Sequence, residues 1–429
     1  MIATPAWRGK RYAVLGLARS GAAAVAALLA GGAEVTAWDT DPARREALSG
    51  SGAALGDPEA IELGGFDGLI VSPGVPINRH PVAVKARGAG VPIIGDIELF
   101  AQARAALPPH TVVGITGTNG KSTTTALVHH ILQTAEIPSL MGGNIGLPIL
   151  AQPPLAAGGV YVLELSSYQI DLTFTLDCDV AVLLNVTPDH LDRYDGFQAY
   201  AAAKARLFAM QNPAHAAIIS IGDDASAAIA RKLSARGEAL TKIAPGFCMD
   251  QSRWPSLQGP HNAQNALAAI NVCEALGVGN AAIDAGLASF AGLDHRMQTV
   301  AVHSGVTFVN DSKATNPESA APALGSFARI HWIVGGQAKS DSLAPCAPHF
   351  GNVVRAYAIG EAGERFADLL AAHMTVEVSG TLAAAVAQAA TNARPGDTVL
   401  LSPACASFDQ FTDFEARGRA FVEAVGALA

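Results

Sequence analysis

The chain has no CxxC pair, and its five cysteines, at positions 178, 248, 273, 346 and 405, stand far apart. An odd, dispersed set argues against a disulfide framework and a cysteine zinc site, and fits a reducing cytoplasm. Basic runs are missing as well: 28 Lys and Arg face 37 Asp and Glu, a formal net charge of −9 at pH 7. Nucleic-acid binders carry a basic face, so no nucleic-acid partner is expected and anionic ligands must be held by individual lysines and arginines. Long apolar runs are lacking too. The longest stretch without a charge, Ile137 to Leu163, is interrupted by Pro138, Pro148, Pro153 and Pro154 and cannot continue as a spanning helix. The opening residues, MIATPAWRGKRYAVLGL, show no apolar signal core followed by a small-residue cleavage site. A cytoplasmic monomer without membrane insertion is expected.

What is present is strand–helix alternation. A chain of 429 residues allows two to four domains. RYAVLGL, AEVTAWD and DGLIVSPG read as strands between helices, then TVVGIT, VYVLEL, DVAVLLN and AAIIS, then GVTFVNDS, IHWIVGG, VRAYAIG and DTVLLSPA. Such alternation with short connections marks parallel sheets flanked by helices. The fold class is therefore α/β with three domains: Rossmann-like (1–94), a central sheet like that of P-loop ATPases (95–297), and Rossmann-like again (298–429). The expected linkers are Val91–Asp96 and Asp294–Val300.

The first turn, Gly16-Leu17-Ala18-Arg19-Ser20-Gly21, with Asp39 at the end of the second strand, has the form of a dinucleotide fingerprint whose second glycine is alanine. Phosphate binding at a helix N-terminus is the favoured reading, NAD binding the lesser one; Asp39 also suits a helix cap. In GITGTNGKSTTT, Ile115 stands where the first glycine of a Walker A loop belongs, yet Gly120-Lys121-Ser122 keeps the essentials. Glycines let backbone N–H groups face an anion at the positive end of a helix; the lysine serves the β/γ-phosphates and the hydroxyl suits Mg²⁺. Glu164, ending VYVLEL, and His190, past the next strand, both fall at the carboxyl edge of the sheet, where ligands of such sheets bind. Glu164 has a helix-capping alternative, and imidazole is a less usual Mg²⁺ ligand than oxygen.

TGTNGKST, GGNIG, ELSSYQ, NVTPDHLDRY with the helix bearing Lys204, GPHNAQNALAA, GLDHR and NDSKATNP come in one order. Over its whole length the chain thereby resembles the Mur ligase superfamily, ATP-dependent amide-forming enzymes of peptidoglycan precursor synthesis. The family uses this shifted phosphate loop and places it mid-chain, because the N-terminal domain holds the nucleotide-sugar. The resemblance implies that Gly117, Thr118, Asn119, Gly120, Lys121, Ser122 and Thr123 hold ATP, with Asn262, Asn265, Arg296 and Asp311 as further nucleotide contacts. Ser122, Glu164, His190 and a carbamylated Lys204 would serve two Mg²⁺ ions. Ser20, Asp39, Thr40, Ser72, Gly74 and Asn144 would contact the UDP-sugar. The VLGLARSG…SPG and LLSPACASFDQFTDFEARG segments imply UDP-N-acetylmuramoyl-L-alanine and D-glutamate as substrates, with Lys313, Thr315, Lys339, Ser407, Phe408 and Phe414 at the D-glutamate end. Asp41 departs from relatives that carry a basic residue there, and Lys242–Gly259 is short where relatives often carry extra strands.

The implied chemistry transfers the γ-phosphoryl group to a carboxylate, giving an acyl phosphate that the amine attacks through a tetrahedral intermediate. Lys121 and Lys313 supply charge; His190 and the Lys204 carbamate both remain candidates for the base. Domain closure is expected to bring the two substrate halves together. Competing readings are another amide ligase of the superfamily, such as the L-alanine-adding enzyme, a nicotinamide oxidoreductase, and a non-catalytic nucleotide-binding regulator.

Overall fold

Most strands here are short apolar runs, as parallel sheets covered on both faces require. In the computed structural model every residue is described except 190, 192, 245–248, 339–341 and 429. The first sheet contains β1 (Arg11–Leu15), β2 (Glu34–Trp38), β3 (Ala54–Leu55), β4 (Gly68–Val71) and β5 (Ile93–Ile94), in the parallel order β3-β2-β1-β4-β5. The second contains β6 (His110–Thr116), β7 (Ser139–Gly143), β8 (Gly159–Glu164), β9 (Val180–Leu183), β10 (Ala216–Ser220) and β11 (Leu240–Ile243), in the parallel order β11-β10-β9-β6-β8-β7. The third contains β12 (Gln298–His303), β13 (Val306–Asn310), β14 (Ile330–Gly335), β15 (Val353–Ile359), β16 (Thr375–Gly380) and β17 (Thr398–Leu401), in the order β12-β13-β17-β14-β15-β16. Only β12 of this sheet runs antiparallel to its neighbour.

Each sheet has a point where strand order reverses, and ligand crevices open there at the carboxyl ends. In the first sheet that point lies between β1 and β4, beside the turn 16–21 and the loop after β4. In the second, β6 lies between β8 and β9, so the phosphate loop, Glu164 and the segment from Asn185 emerge along one edge.

By packing, the chain forms two compact units, Met1–Cys248 with Gln264–Leu287, and Met249–Ala263 with Ala288–Ala429. Within the first unit, one apolar cluster runs from Ile2, Trp7 and Tyr12 through Phe100 to Tyr161 and Leu183. Glu98, almost fully buried, helps join the two sheets: its carboxylate accepts from Phe174 N at 2.7 Å, Thr175 N at 2.9 Å and Thr175 Oγ1 at 2.7 Å.

Two expectations are corrected. The supposed linker Val91–Asp96 contains β5, which pairs with β4, and Asp96 already belongs to the helix Asp96–Ala103. The supposed linker Asp294–Val300 includes the first residues of β12.

Near the starts of β14 and β17, Asp397 binds Arg329 Nε at 2.6 Å and His331 Nε2 at 3.2 Å, and accepts from Arg394 N at 3.0 Å. His331 Nδ1 meets the Tyr357 hydroxyl at 2.9 Å. Burial lowers the His331 pKa, outweighing the raising effect of Asp397. Burial alone would raise that of Asp397, but its hydrogen bonds from Arg329, Arg394 and His331 hold it below the ordinary value. Both groups make the fold acid-labile. As pH falls below about 6.5 the unfolded chain takes up a proton that folded His331 refuses, and below about 4 Asp397 adds the same penalty. Asp397→Ala strips a partner from the buried His331 ring, a loss of about 1–3 kcal/mol. Thermal denaturation between pH 8 and pH 5 is expected to show a lower midpoint for the variant throughout, and a wild-type midpoint that falls on acidification.

Candidate active site

The phosphate loop leaves β6 at Thr116 and enters the helix Lys121–Thr134. Gly120 sits at φ +84°, and a Cβ there would lie 2.3 Å from Asn265 Oδ1, so only glycine allows both the left-handed turn and this approach. Asn185, just beyond β9, shapes the loop. Its Oδ1 accepts from Thr118 N at 3.1 Å and Asn119 N at 2.8 Å, and its Nδ2 donates to Asn119 O at 3.1 Å. Those two amides are engaged within the loop, and the helix that follows turns its N-terminal end toward it, the end of a helix that favours anions. Lys121 Nζ donates to Gly117 O at 2.9 Å and Thr118 O at 2.7 Å, which folds the amine back over the loop.

Glu164 is 1 % exposed and lies in register with Ile115 and Gly143. Its Oε1 accepts from Asn144 Nδ2 at 2.8 Å, and Asn144 N donates to Glu164 O at 2.9 Å. Asn144 is thus tied to a metal-ligand candidate. The cap of the following helix is Ser166, in a capping box with Gln169, so the capping alternative for Glu164 falls away. Ser122 is buried too. A hydroxyl and a carboxylate are the oxygen donors Mg²⁺ prefers. Among the described residues no three His, Cys, Asp or Glu side chains form a metal-binding group, and His190 lies outside the described residues.

Lys204, on the helix Phe197–Met210, is also 1 % exposed, and Ala201, Leu207 and Phe208 are buried with it. This is the apolar face that i, i+3, i+4 spacing predicts. Its Nζ donates to Gly117 O at 2.7 Å and lies 4.8 Å from the centre of the Tyr200 ring. Gly117 O therefore receives both Lys204 and Lys121. Burial, and then the charge of Lys121, lower the Lys204 pKa well below its ordinary value, against raising effects from Asp189, Asp171 and Glu164.

In the first sheet, Asp39 Oδ2 accepts from Leu17 N at 2.6 Å and its Oδ1 from Asp41 N at 2.9 Å, with Arg44 Nη1 at 3.2 Å. Burial would raise its pKa, but these bonds hold it below the ordinary carboxylate value. Asp41, not Asp39, caps the helix Pro42–Glu46. Arg44 and Arg45, in its last turn, bring positive charge close to Asp41. Ser72 Oγ donates to Gly16 O at 2.8 Å, joining the two loops at the reversal point. Ser20 is half-buried, and Thr40 and Gly74 are exposed.

The second unit gathers another set. Asp311 Oδ2 accepts from Ser402 Oγ at 2.8 Å; burial pushes the Asp311 pKa up to about 7, although Ser402 and Arg296 lower it. Lys313 Nζ lies 3.7 Å from the centre of the Phe414 ring. Ser312 Oγ donates to Phe414 O at 2.8 Å. Arg417, 1 % exposed, donates to Ser312 Oγ and to the carbonyls of Ser312, Cys405 and Ala406, so it ties the loop bearing Lys313 to the one bearing Ser407. Ser407 is buried, Thr315 half-buried and Phe408 68 % exposed. Lys339 lies outside the described residues. Asn262, buried, donates from Nδ2 to Gln258 O at 3.1 Å. Next to it, Pro260, His261, Ala321 and Pro322 line a largely apolar pocket of about 380 Å³.

Asn185, Tyr200, Ser402 and Arg417 were not singled out from the sequence. Asn185 had a usable signal, its place at the end of a strand in NVTPDH. The other three act through packing and hydrogen bonds that no local pattern announces.

A left-handed glycine entering a helix with Lys121 and Ser122, beside a buried carboxylate at a sheet reversal, defines a phosphate-loop α/β protein. The Mur ligase middle domain matches residues 115–248, and the Mur ligase, glutamate ligase domain matches residues 295–405. The chain belongs to the Mur ligase family. It is 62 % identical to the UDP-N-acetylmuramoylalanine–D-glutamate ligase of Novosphingobium aromaticivorans, covering 100 % of this chain and 97 % of that protein. With the Zymomonas mobilis protein of the same name the identity is 54 %, covering 100 % of both. Among solved structures, the UDP-N-acetylmuramate-alanine ligase MurC of Thermotoga maritima matches with a TM-score of 0.61 at 18 % identity, covering 98 % of this chain and 100 % of that one, a likeness of fold. No described helix is long and apolar enough to cross a membrane.

Proposed function

We propose that this chain is an ATP-dependent ligase that adds D-glutamate to UDP-N-acetylmuramoyl-L-alanine, as a cytoplasmic monomer in peptidoglycan precursor synthesis. The observation that carries the reading is end-to-end identity of 62 % with a relative named for that reaction. The amide-forming chemistry belongs to the family, and the site residues suit it.

The first helical turn after Gly120, with Lys121, Ser122 and Thr123, takes the ATP phosphates. Asn262, Asn265, Arg296 and Asp311 serve the rest of the nucleotide. Ser122, Glu164, His190 and carbamylated Lys204 hold two Mg²⁺ ions, which supply neutralisation of phosphate charge when bound. Ser20, Asp39, Thr40, Ser72, Gly74 and Asn144 contact the UDP-sugar. Lys313, Thr315, Lys339, Ser407, Phe408 and Phe414 serve D-glutamate. By this reading residues 1–94 serve the nucleotide-sugar, 95–297 ATP and 298–429 the amino acid.

The substrate carboxylate oxygen attacks the γ-phosphorus and ADP leaves. The D-glutamate amine then attacks the acyl carbon, losing a proton, and phosphate departs with the former carboxylate oxygen. Lys121 and Lys313 offset charge on the transferring group. The test is ATP turnover with UDP-N-acetylmuramoyl-L-alanine and single amino acids. Turnover with D-glutamate and none with L-alanine, L-lysine or diaminopimelate is expected; the reverse preference would refute the reading. Because a second carboxylate on the amino acid calls for charge-assisted bonds, Lys339→Ala should raise KM for D-glutamate at least tenfold more than KM for ATP, on the order of the loss of one such bond. Equal changes in both constants would remove Lys339 from the amino-acid site.

A further inference from the structure

The loop after β4, which bears Ser72 and Gly74, is held from two directions. From its own sheet, Ser72 Oγ bonds Gly16 O at 2.8 Å. From the loop beyond β9, Arg193 donates to Val75 O at 3.0 Å and to Pro73 O and Gly74 O, each at 3.4 Å. Asn78 Nδ2 returns a bond to Arg193 O at 2.5 Å. The guanidinium lies over the Tyr168 ring, 4.2 Å from its centre. Three converging carbonyls and an aromatic plane suit a flat, forked cation and match an ammonium poorly.

The contacts continue to the phosphate loop. Tyr168 lies on the helix Ser167–Asp171, which follows Glu164 after two residues. It stacks on Tyr194, with ring centres 6.1 Å apart and planes 15° apart. Tyr194 is fixed by its hydroxyl, which donates to Asp171 Oδ2 at 2.7 Å, and packs on Tyr200 at 5.4 Å. The Tyr200 hydroxyl meets Thr118 Oγ1 at 3.1 Å. Packed rings and hydrogen bonds thus run without a break from carbonyls 73–75 to the phosphate loop.

We infer that Arg193 is a positioning residue that couples the loop 72–75 to the phosphate loop, so that a nucleotide-sugar bound at the first sheet presents its carboxylate in register with the ATP phosphates. The inference rests on the ligase reading above. It concerns Arg193 and the three tyrosines, none of which is assigned there. Misplacement of reacting atoms by about 1 Å can cost about 100-fold in rate, which is the scale of effect available to such a coupling.

The test measures dissociation constants for UDP-N-acetylmuramoyl-L-alanine and ADP, together with kcat, in the wild-type protein, Arg193→Ala, Arg193→Lys and Tyr168→Leu. Loss of bonds from a charged donor is expected to weaken nucleotide-sugar binding about tenfold or more, with kcat down by a similar factor and the ADP constant within twofold of wild type. The lysine variant should be impaired too, because it lacks the fork. A folded Arg193→Ala with wild-type nucleotide-sugar affinity and kcat would overturn the coupling, as would equal weakening of both ligands, which is the mark of a merely structural arginine. If the alanine variant does not fold, the lysine and Tyr168→Leu variants are judged by the same criteria. Wild-type protein that fails to bind the nucleotide-sugar would refute the ligase reading itself, a result distinct from failure of the coupling.

Discussion

A Lys121→Ala enzyme is expected to lose about 100- to 1,000-fold in kcat, the equivalent of about 2.7–4 kcal/mol of transition-state stabilisation. Phosphoryl transfer asks little covalent chemistry of a protein, and positioning and charge neutralisation carry most of the rate. The proposed function gives that role to Lys121, whose amine lies on the carbonyls of Gly117 and Thr118 within the loop. The substitution falls at the first helical residue, and alanine is the strongest helix former, so folding should survive and the loss can be read as chemistry. ADP release at saturating substrates, with thermal denaturation as the control, measures it. An unchanged kcat in a folded variant would remove Lys121 from the reaction.

The second large effect is expected at Lys204. Two lysine amines donate to one carbonyl oxygen, Gly117 O, and one of them is almost fully buried. Two ammonium groups so placed repel each other, and burial penalises the inner charge further. Burial and the neighbouring Lys121 charge lower the pKa of Lys204, which favours its neutral form. A neutral amine adds to CO₂, forming an N–C bond and releasing a proton, and leaves a carbamate bearing the negative charge an oxygen-ligated metal favours. Most helical lysines extend into solvent, whereas Lys204 is buried with its amine on Gly117 O. Lys204→Ala is expected to lower kcat about 1,000-fold, on the scale of a lost charge-stabilising group, with partial recovery on adding formate or acetate at high concentration. Full activity without rescue would refute the carbamate, and an inactive, folded variant that no carboxylate rescues would count against it.

Much of the architecture was legible because parallel strands covered on both faces are uninterrupted apolar words. RYAVL, VYVLE and IHWIVG needed no tertiary information. The unanticipated strands, β3, β5, β7, β11, β12 and β16, all lie at sheet edges. Edge strands pair on one side only and tolerate the mixed residues of LTKI or TVEVSG, so their sequence signal is weak. Legibility of the site followed the same division. Lys121, Ser122 and Glu164 sit at strand or helix ends that periodicity locates. Lys204 could be placed on a buried helix face by its spacing, but its acceptor, Gly117 O, is 87 residues away. Arg193 was hidden for a related reason: its carbonyl partners lie in the loop after β4, about 120 positions earlier, and main-chain carbonyls carry no sequence identity to read.

The central claim is most directly tested by following the carboxylate oxygens of UDP-N-acetylmuramoyl-L-alanine labelled with ¹⁸O, during reaction with ATP and D-glutamate. Transfer through an acyl phosphate moves one labelled oxygen into the released phosphate and leaves the other in the new amide carbonyl. Mass spectrometry is expected to find a product heavier by one glutamyl residue, carrying one label, together with singly labelled phosphate. Unlabelled phosphate, or ATP consumed without a glutamyl product, would contradict the account.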